Sequence, residues 1–183
     1  MKHALLAIAA ILTISPAIAE ESSGPLTEQN IRDYYTGIPA IFQLPYPEFL
    51  KSYLARASDT LQVTTTTSIR MLDNSVVRSK HSMDKEQMQD MAGKAYAAAS
   101  GAKLANYVTA IDIDPSGKSA LVHETATIKN MQLPGADPVH AYIADSTETC
   151  IDTLVFTPGI GVQTTRSNCN ANVIVTQQSL ENQ

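Results

Sequence analysis

The chain has 183 residues, a formal net charge of -5 and 44% apolar residues. That length and apolar share fit one globular domain. The acidic balance, with no stripe of Lys and Arg, excludes nucleic acid as a main partner.

Residues 1–19 have the layout of a secretory signal peptide. Lys2 and His3 make a short polar start, Ala4 to Ile14 is an apolar run, and Ala17-Ile18-Ala19 is a small-x-small cleavage site. The run is too short to cross a bilayer, which takes roughly 20 residues. An uncleaved anchor is the alternative, but the acidic flank Glu20-Glu21 favours cleavage. No cysteine follows the run, which argues against lipoprotein processing, and no later segment is apolar enough to span a membrane. The expected location is periplasmic or secreted, with no membrane span after cleavage. Residues 20–26 are polar and breaker-rich and read as a flexible leader. The domain is expected over residues 27–177, followed by a polar tail at 178–183.

Thr27 can cap a helix over Glu28 to Thr36, which Gly37 and Pro39 should end. Pro45-Tyr46-Pro47 connects to a second helix, where Phe49, Leu50, Tyr53 and Leu54 share one face. Thr60 to Leu72 alternates as a strand, Asp73-Asn74 turns it, and Val76 to Lys80 returns. Asp84 then caps a helix from Lys85 to about Ser100, with Gln87 completing a capping box and Met83 and Met88 a hydrophobic staple. Its stripe of Met88, Met91, Ala92, Ala95, Ala98 and Ala99 reads as core against something flat, rather than as an adaptable Met-rich binding surface. Gly101 should cap its C-terminus.

Leu104 to Asp114 and Ser119 to Gln132 form a hairpin about the turn Asp114 to Lys118. After a loop at Pro134 to Pro138, the strands Val139 to Thr157 and Val162 to Gln177 form a long final hairpin. The only two cysteines, Cys150 and Cys169, lie in it. A register that sets Thr157 opposite Val162 also sets Cys150 opposite Cys169, so the two should bond in an oxidising compartment. The bridge would close a loop of about 20 residues, worth about 3 kcal/mol. A redox pair would want closely spaced thiols at a helix N-terminus, which this is not. Two cysteines without a patterned His pair make no standard zinc site.

The element order, with twin N-terminal helices, the helix "MDKEQMQDMAGKAYAAAS" and the hairpin "YVTAIDIDPSGKSALVHETATI", resembles the nuclear transport factor 2-like fold. Ketosteroid isomerases, scytalone dehydratase and SnoaL-type cyclases share that fold. The resemblance covers about Leu26 to Val175, is one of layout, and leaves a cystatin-like relative as the competitor. It implies an α+β domain in which a curved antiparallel sheet wraps over the N-terminal helices and one further helix to make a cone. The same fold hosts many functions, so it does not fix an activity.

In enzymes of this fold, acids, tyrosines and histidines project into the cone. The matching candidates are Tyr34 and Tyr35 on the first helix, and Asp112, His123, Glu124, His140 and Tyr142 on strands. His123 and Glu124 are adjacent on a strand and so face opposite ways. Glu124 shares a face with Ala120, Val122, Ala126 and Ile128. If that face lines the cone, Glu124 is a carboxyl in an apolar setting, fit for general-base work. If it faces out, Glu124 is a solvated charge, the commoner case. Tyr34 and Tyr35 are expected as packing residues with wet hydroxyls, and His140 as exposed. No nucleophile elbow, phosphate loop or HExxH occurs, and the Gly-Lys-Ser of "PSGKS" sits in a hairpin without the first glycine.

These features predict an exported, non-catalytic binding or assembly protein with neither cofactor nor metal. Its partner would be a second copy or a cell-envelope protein docked through the sheet. The alternative is an enzyme of isomerase or dehydratase type. It would hold a small apolar molecule in the cone, with Glu124 or Asp112 as base and a tyrosine such as Tyr34 as hydrogen-bond donor.

Overall fold

The computed structural model describes residues 25–133 and 140–179. The proposed signal segment, the leader up to residue 24, the loop at 134–138 and the last four residues of the tail lie outside these residues. The elements are α1 (Glu28–Thr36), α2 (Ile38–Ile41), α3 (Tyr46–Ala55), β1 (Ala57–Arg70), β2 (Val76–Asp84), α4 (Lys85–Ala99), β3 (Lys103–Ile113), β4 (Ser119–Leu133), β5 (His140–Thr157) and β6 (Gly161–Ser179). Among the described residues, no helix is long and apolar enough to cross a membrane.

Local chemistry sets the helix starts. Thr27 and Asn30 cap each other at α1. At α4, Asp84 Oδ1 accepts from Gln87 N at 2.9 Å and Gln87 Oε1 accepts from Asp84 N at 3.1 Å. Replacing Asp84 with Ala should cost about 1 kcal/mol, read as a lower urea midpoint at unchanged slope. An unchanged midpoint would show that the cap adds nothing. Gly37 does not end the helical stretch. It keeps right-handed helical angles (φ -74°, ψ -13°), and Pro39 sits in the first turn of α2, where a missing N–H costs nothing.

The six strands make one sheet in the order β2-β1-β6-β5-β4-β3. All neighbours are antiparallel except β1 and β6, which run parallel. The sheet is therefore mixed at this one seam. The chain leaves β2, crosses the sheet through α4, and returns strand by strand until β6 meets β1. Register shifts within the β3–β4, β4–β5 and β5–β6 pairs bend the sheet. At one of them Asn130 adopts φ 59°, a left-handed angle that Asn tolerates.

The last hairpin differs from its expected form at the turn. Thr157 pairs with Gly161, not Val162, because the connection is one residue shorter and Gly161 enters the strand at φ 106°. A bulge at Thr165 then restores the expected register, and Cys150 pairs with Cys169. The two are disulfide-bonded, with Cα atoms 4.2 Å apart.

The helices cover one face of the sheet. Ile31, Tyr34 and Tyr35 of α1, Phe49 and Tyr53 of α3, and Met88, Ala92, Ala95, Ala98 and Ala99 of α4 are buried there. The alanines let α4 lie close against β1, β2 and β4. Phe49 stacks on Tyr53 with ring centroids 5.1 Å apart. The opposite face, with Thr66, Thr149 and Asn170 in one row, is exposed.

Candidate functional site

Strand alternation decides what faces the helices. On β4 the inward set is Ala120, Val122, Glu124, Ala126 and Ile128, all buried. Glu124 is 2% exposed, so its face lines the cone. On β5 the inward set runs Ser146, Glu148, Cys150, Asp152 and Leu154. Glu124 pairs with Cys150, which has Glu148 and Asp152 two residues to either side. Three carboxyl groups thus surround the disulfide on one dry face, with Glu148 and Asp152 both at 0% exposure.

Asp152 is well held. Tyr35 of α1 donates its hydroxyl to Oδ2 at 2.6 Å, and Ser167 of β6 donates to Oδ1 at 2.5 Å. Ser167 can reach only one acceptor with its single proton, and the oxidised Cys169 Sγ, 3.1 Å away, has none to give. Glu124 accepts from Asn106 Nδ2 at 2.9 Å through Oε2. Its Oε1 and both oxygens of Glu148 have no hydrogen-bond partner among the described residues. Beside the acids, Tyr34 and Thr164 share a hydrogen bond of 2.7 Å, and the Arg56 guanidinium lies 4.5 Å from the centre of the Tyr34 ring.

Burial disfavours charge on every one of these groups. It lifts Asp152 to about 7, against the pull of the Ser167 and Tyr35 hydrogen bonds. Glu124 stands well above the usual carboxylate range through burial and then the charge of Asp152, opposed by Asn106. Glu148 is raised by burial, then by Glu124 and Asp152. Burial pushes Tyr34 up to about 12 and also raises Tyr35, while it lowers Arg56. Burial, followed by the charge of Glu148, also raises Tyr53. Like charges this close cannot all ionise in a dry interior. Burial favours the protonated forms of Glu124 and Glu148, while Asp152, near 7, is poised to gain or lose a proton around neutral pH. That combination offers both hydrogen-bond donors and an acceptor to anything that enters.

The other candidates fall elsewhere. Asp112 and His123 are exposed on the outer face, Asp112 beside an open cleft lined by Asp114, Ser119, Leu121 and Thr153. Neither joins the acids. Tyr34 and Tyr35 are packing residues, but their hydroxyls are buried and bonded rather than wet. Tyr142 is half-buried on β5, and the side chain of His140 lies outside the described residues. Sequence reasoning missed Glu148, Asp152, Ser167 and Asn106. The signal for Glu148 and Asp152 was present: they sit two residues from Cys150 and must share its face. Arg56 gave no such signal.

Glu148 and the two cysteine sulfurs lie within 4.8 Å of one another, a spacing that suits a metal. The disulfide takes both thiolates out of play, so this oxidised trio is not a metal-binding set.

No protein-family model matches the chain, and a search of curated proteins finds no relative. Solved structures do resemble it. A conserved protein from Planctomyces limnophilus DSM 3776 is similar at 13% identity with a TM-score of 0.51, covering 82% of this chain and 97% of that one. A ketosteroid isomerase-like protein from Erwinia carotovora atroseptica SCRI1043 shows 10% identity and a TM-score of 0.43, over 80% and 98% of the two chains. A nuclear transport factor 2-like protein of unknown function from Pseudomonas aeruginosa shows 10% identity and a TM-score of 0.41, over 93% of both chains. At such identities a likeness speaks of fold and not of activity. What the chain shares with the Planctomyces limnophilus protein is its overall fold, here an α+β domain with helices on one face of a six-stranded mixed sheet.

Proposed function

We propose that the protein works outside the cytoplasm and binds a small molecule in its cone, with Glu124, Glu148 and Asp152 meeting the ligand's polar end. The carrying observation is Glu148: fully buried, with both carboxyl oxygens unpartnered among the described residues. Burying such a group costs free energy, and proteins keep it where a site needs it. The N-terminal layout and the disulfide support export.

The test is native mass spectrometry of the protein recovered from the expressing cells. The expected spectrum shows a chain beginning at Glu20 and a co-purified small-molecule adduct, which Glu148→Gln loses. A chain that keeps residues 1–19 in the cytoplasm would overturn the export half. A wild-type protein that carries no adduct and melts unchanged across a metabolite panel would overturn the binding half.

One observation favours a second reading, proton-transfer catalysis. Asp152, near 7 and tied to the Tyr35 hydroxyl, has the acidity a general base needs at neutral pH. An adduct incubated in heavy water would then gain deuterium with the wild type but not with Asp152→Asn. Equal labelling by both proteins would leave binding as the whole function.

A further inference from the structure

We propose that the outer face of the sheet carries a second binding site, apart from the cone, for a short peptide with both ends free. The peptide lies across the strands, with its carboxylate at Arg166 and its ammonium group at Asp112. Two clefts meet along this path. The first, of about 440 Å³, is lined by Thr60, Gln62, Thr153, Thr165 and Arg166. The second, of about 310 Å³, is the one beside Asp112, Asp114 and Leu121. Thr153 lines both and so stands between them. Register puts the lining in one row. Gln62 pairs with Arg166, Arg166 with Thr153, Thr153 with Leu121, and Leu121 with Asp112.

The first cleft has its cause in the strands. Between the pairs Ala57–Thr164 and Gln62–Arg166, β1 runs through residues 58–61 while β6 has only Thr165. Residues 58–61 pair with neither β6 nor β2, so the sheet is split there. Thr165 is also the bulged residue against β5, and its hydroxyl donates to the Thr153 carbonyl at 3.1 Å. Such a gap leaves backbone groups outside the ladder, open to another chain.

Charge selects the occupant. The ion pairs among the described residues are Arg32–Glu28, Lys85–Asp59 and Lys129–Asp145, so Arg166 and Asp112 have no ionic partner there. The other acids nearby are engaged. Asp59 accepts from Lys85 Nζ at 2.8 Å, Asp84 caps α4, and Asp114 accepts from Ser116 N at 2.8 Å within its own turn. The row therefore has a guanidinium at one end and a carboxylate at the other. Between them lie hydroxyls and Leu121, 41% exposed. A guanidinium fork suits a carboxylate, and a carboxylate accepts from an ammonium group. The hydroxyls can serve peptide groups, and Leu121 a side chain. From β6 to β3 is three strand spacings, roughly 14 Å. An extended chain advances about 3.3–3.6 Å per residue, so the fit is to three or four residues. A simple anion or a simple amine would use one end only.

The experiment is a titration followed by the backbone amide resonances of the disulfide-bonded mature protein. The probes are tetra-alanine with free ends, its C-terminal amide, its N-acetyl form and the doubly blocked form. The free peptide at millimolar concentration is expected to move the amides of residues 58–62, 112–121, 153 and 165–166. Blocking either end should weaken binding about threefold or more, an effect that shrinks as salt is raised. Arg166→Gln should erase the difference between acid and amide, and Asp112→Asn the difference between amine and acetyl. Both side chains are exposed, and equal melts will show that the variants fold. Equal affinity for free and blocked peptides, discrimination at one end only, discrimination that survives in the variants, or no shifts along the row overturns the assignment. None of these outcomes touches the cone, whose readout is the native spectrum.

Discussion

Melted at pH 5, the protein should prove more stable than at pH 8, the reverse of what salt-bridged surface acids would give. The sign follows from Asp152, whose acidity is displaced from 3.8 to about 7 by burial. Between those values the folded state keeps a proton that the unfolded chain has lost. Stability contributed by that proton is fully present below about 4 and is lost as pH rises through about 7. One unit of displacement corresponds to about 1.4 kcal/mol, so the step from pH 5 to pH 8 removes about 3 kcal/mol. For a domain of this size that is a fall in midpoint of about 6 to 12 °C. Glu124 and Glu148 are displaced the same way and add to the decline as pH rises. The exposed Asp59, Asp73, Asp114 and Asp145 are displaced downward by hydrogen bonds and lysines, so their contribution is lost only below about pH 4 and leaves this comparison alone. Glu148→Gln, which removes one buried acid without removing volume, should raise the pH 8 midpoint and flatten the profile. A midpoint that is level or rises between pH 5 and pH 8 would mean that the three acids are solvated, and the site with them.

Removing the disulfide should have an effect of similar size and different character. Cys150→Ala with Cys169→Ala frees a loop closed at a sequence separation of 19. The chain-entropy account assigns about 3 kcal/mol to a loop of that length. Because the bridge restrains the unfolded chain, its loss should also steepen the urea slope, as more surface becomes exposed. The pH 5 to pH 8 difference should persist, since neither cysteine carries the proton. Equal urea midpoints for the two proteins would show that β5 and β6 hold their register without the bond.

Short-range features were open to sequence reasoning because their causes are local. Asp84 and Gln87 announce a helix start, and Cys150 and Cys169 can be paired by counting residues back from a turn. The count survived a misplaced turn only because the bulge at Thr165 returned the missing residue. The parallel seam between β1 and β6 was not legible, since its partners lie about a hundred residues apart and no local pattern encodes it. The site was half legible. Alternation ties Glu124 to Val122 and Ala126, but which face is inward depends on where the helices land. Once Cys150 is known to face in, Glu148 and Asp152 must follow. Tyr35 reaching Asp152 from α1 spans 117 positions and needs the whole fold.

The parallel seam bears on how the protein can be made. Strand β6 lies between β5 and β1, so the residues that join the two halves of the sheet, 161–179, are the last of the described ones to be synthesised. Until they emerge, β1 and β5 each present an unpaired edge, a template for association with other chains. A nascent polypeptide arrested before residue 161 would therefore be a client for a holdase rather than a half-built domain.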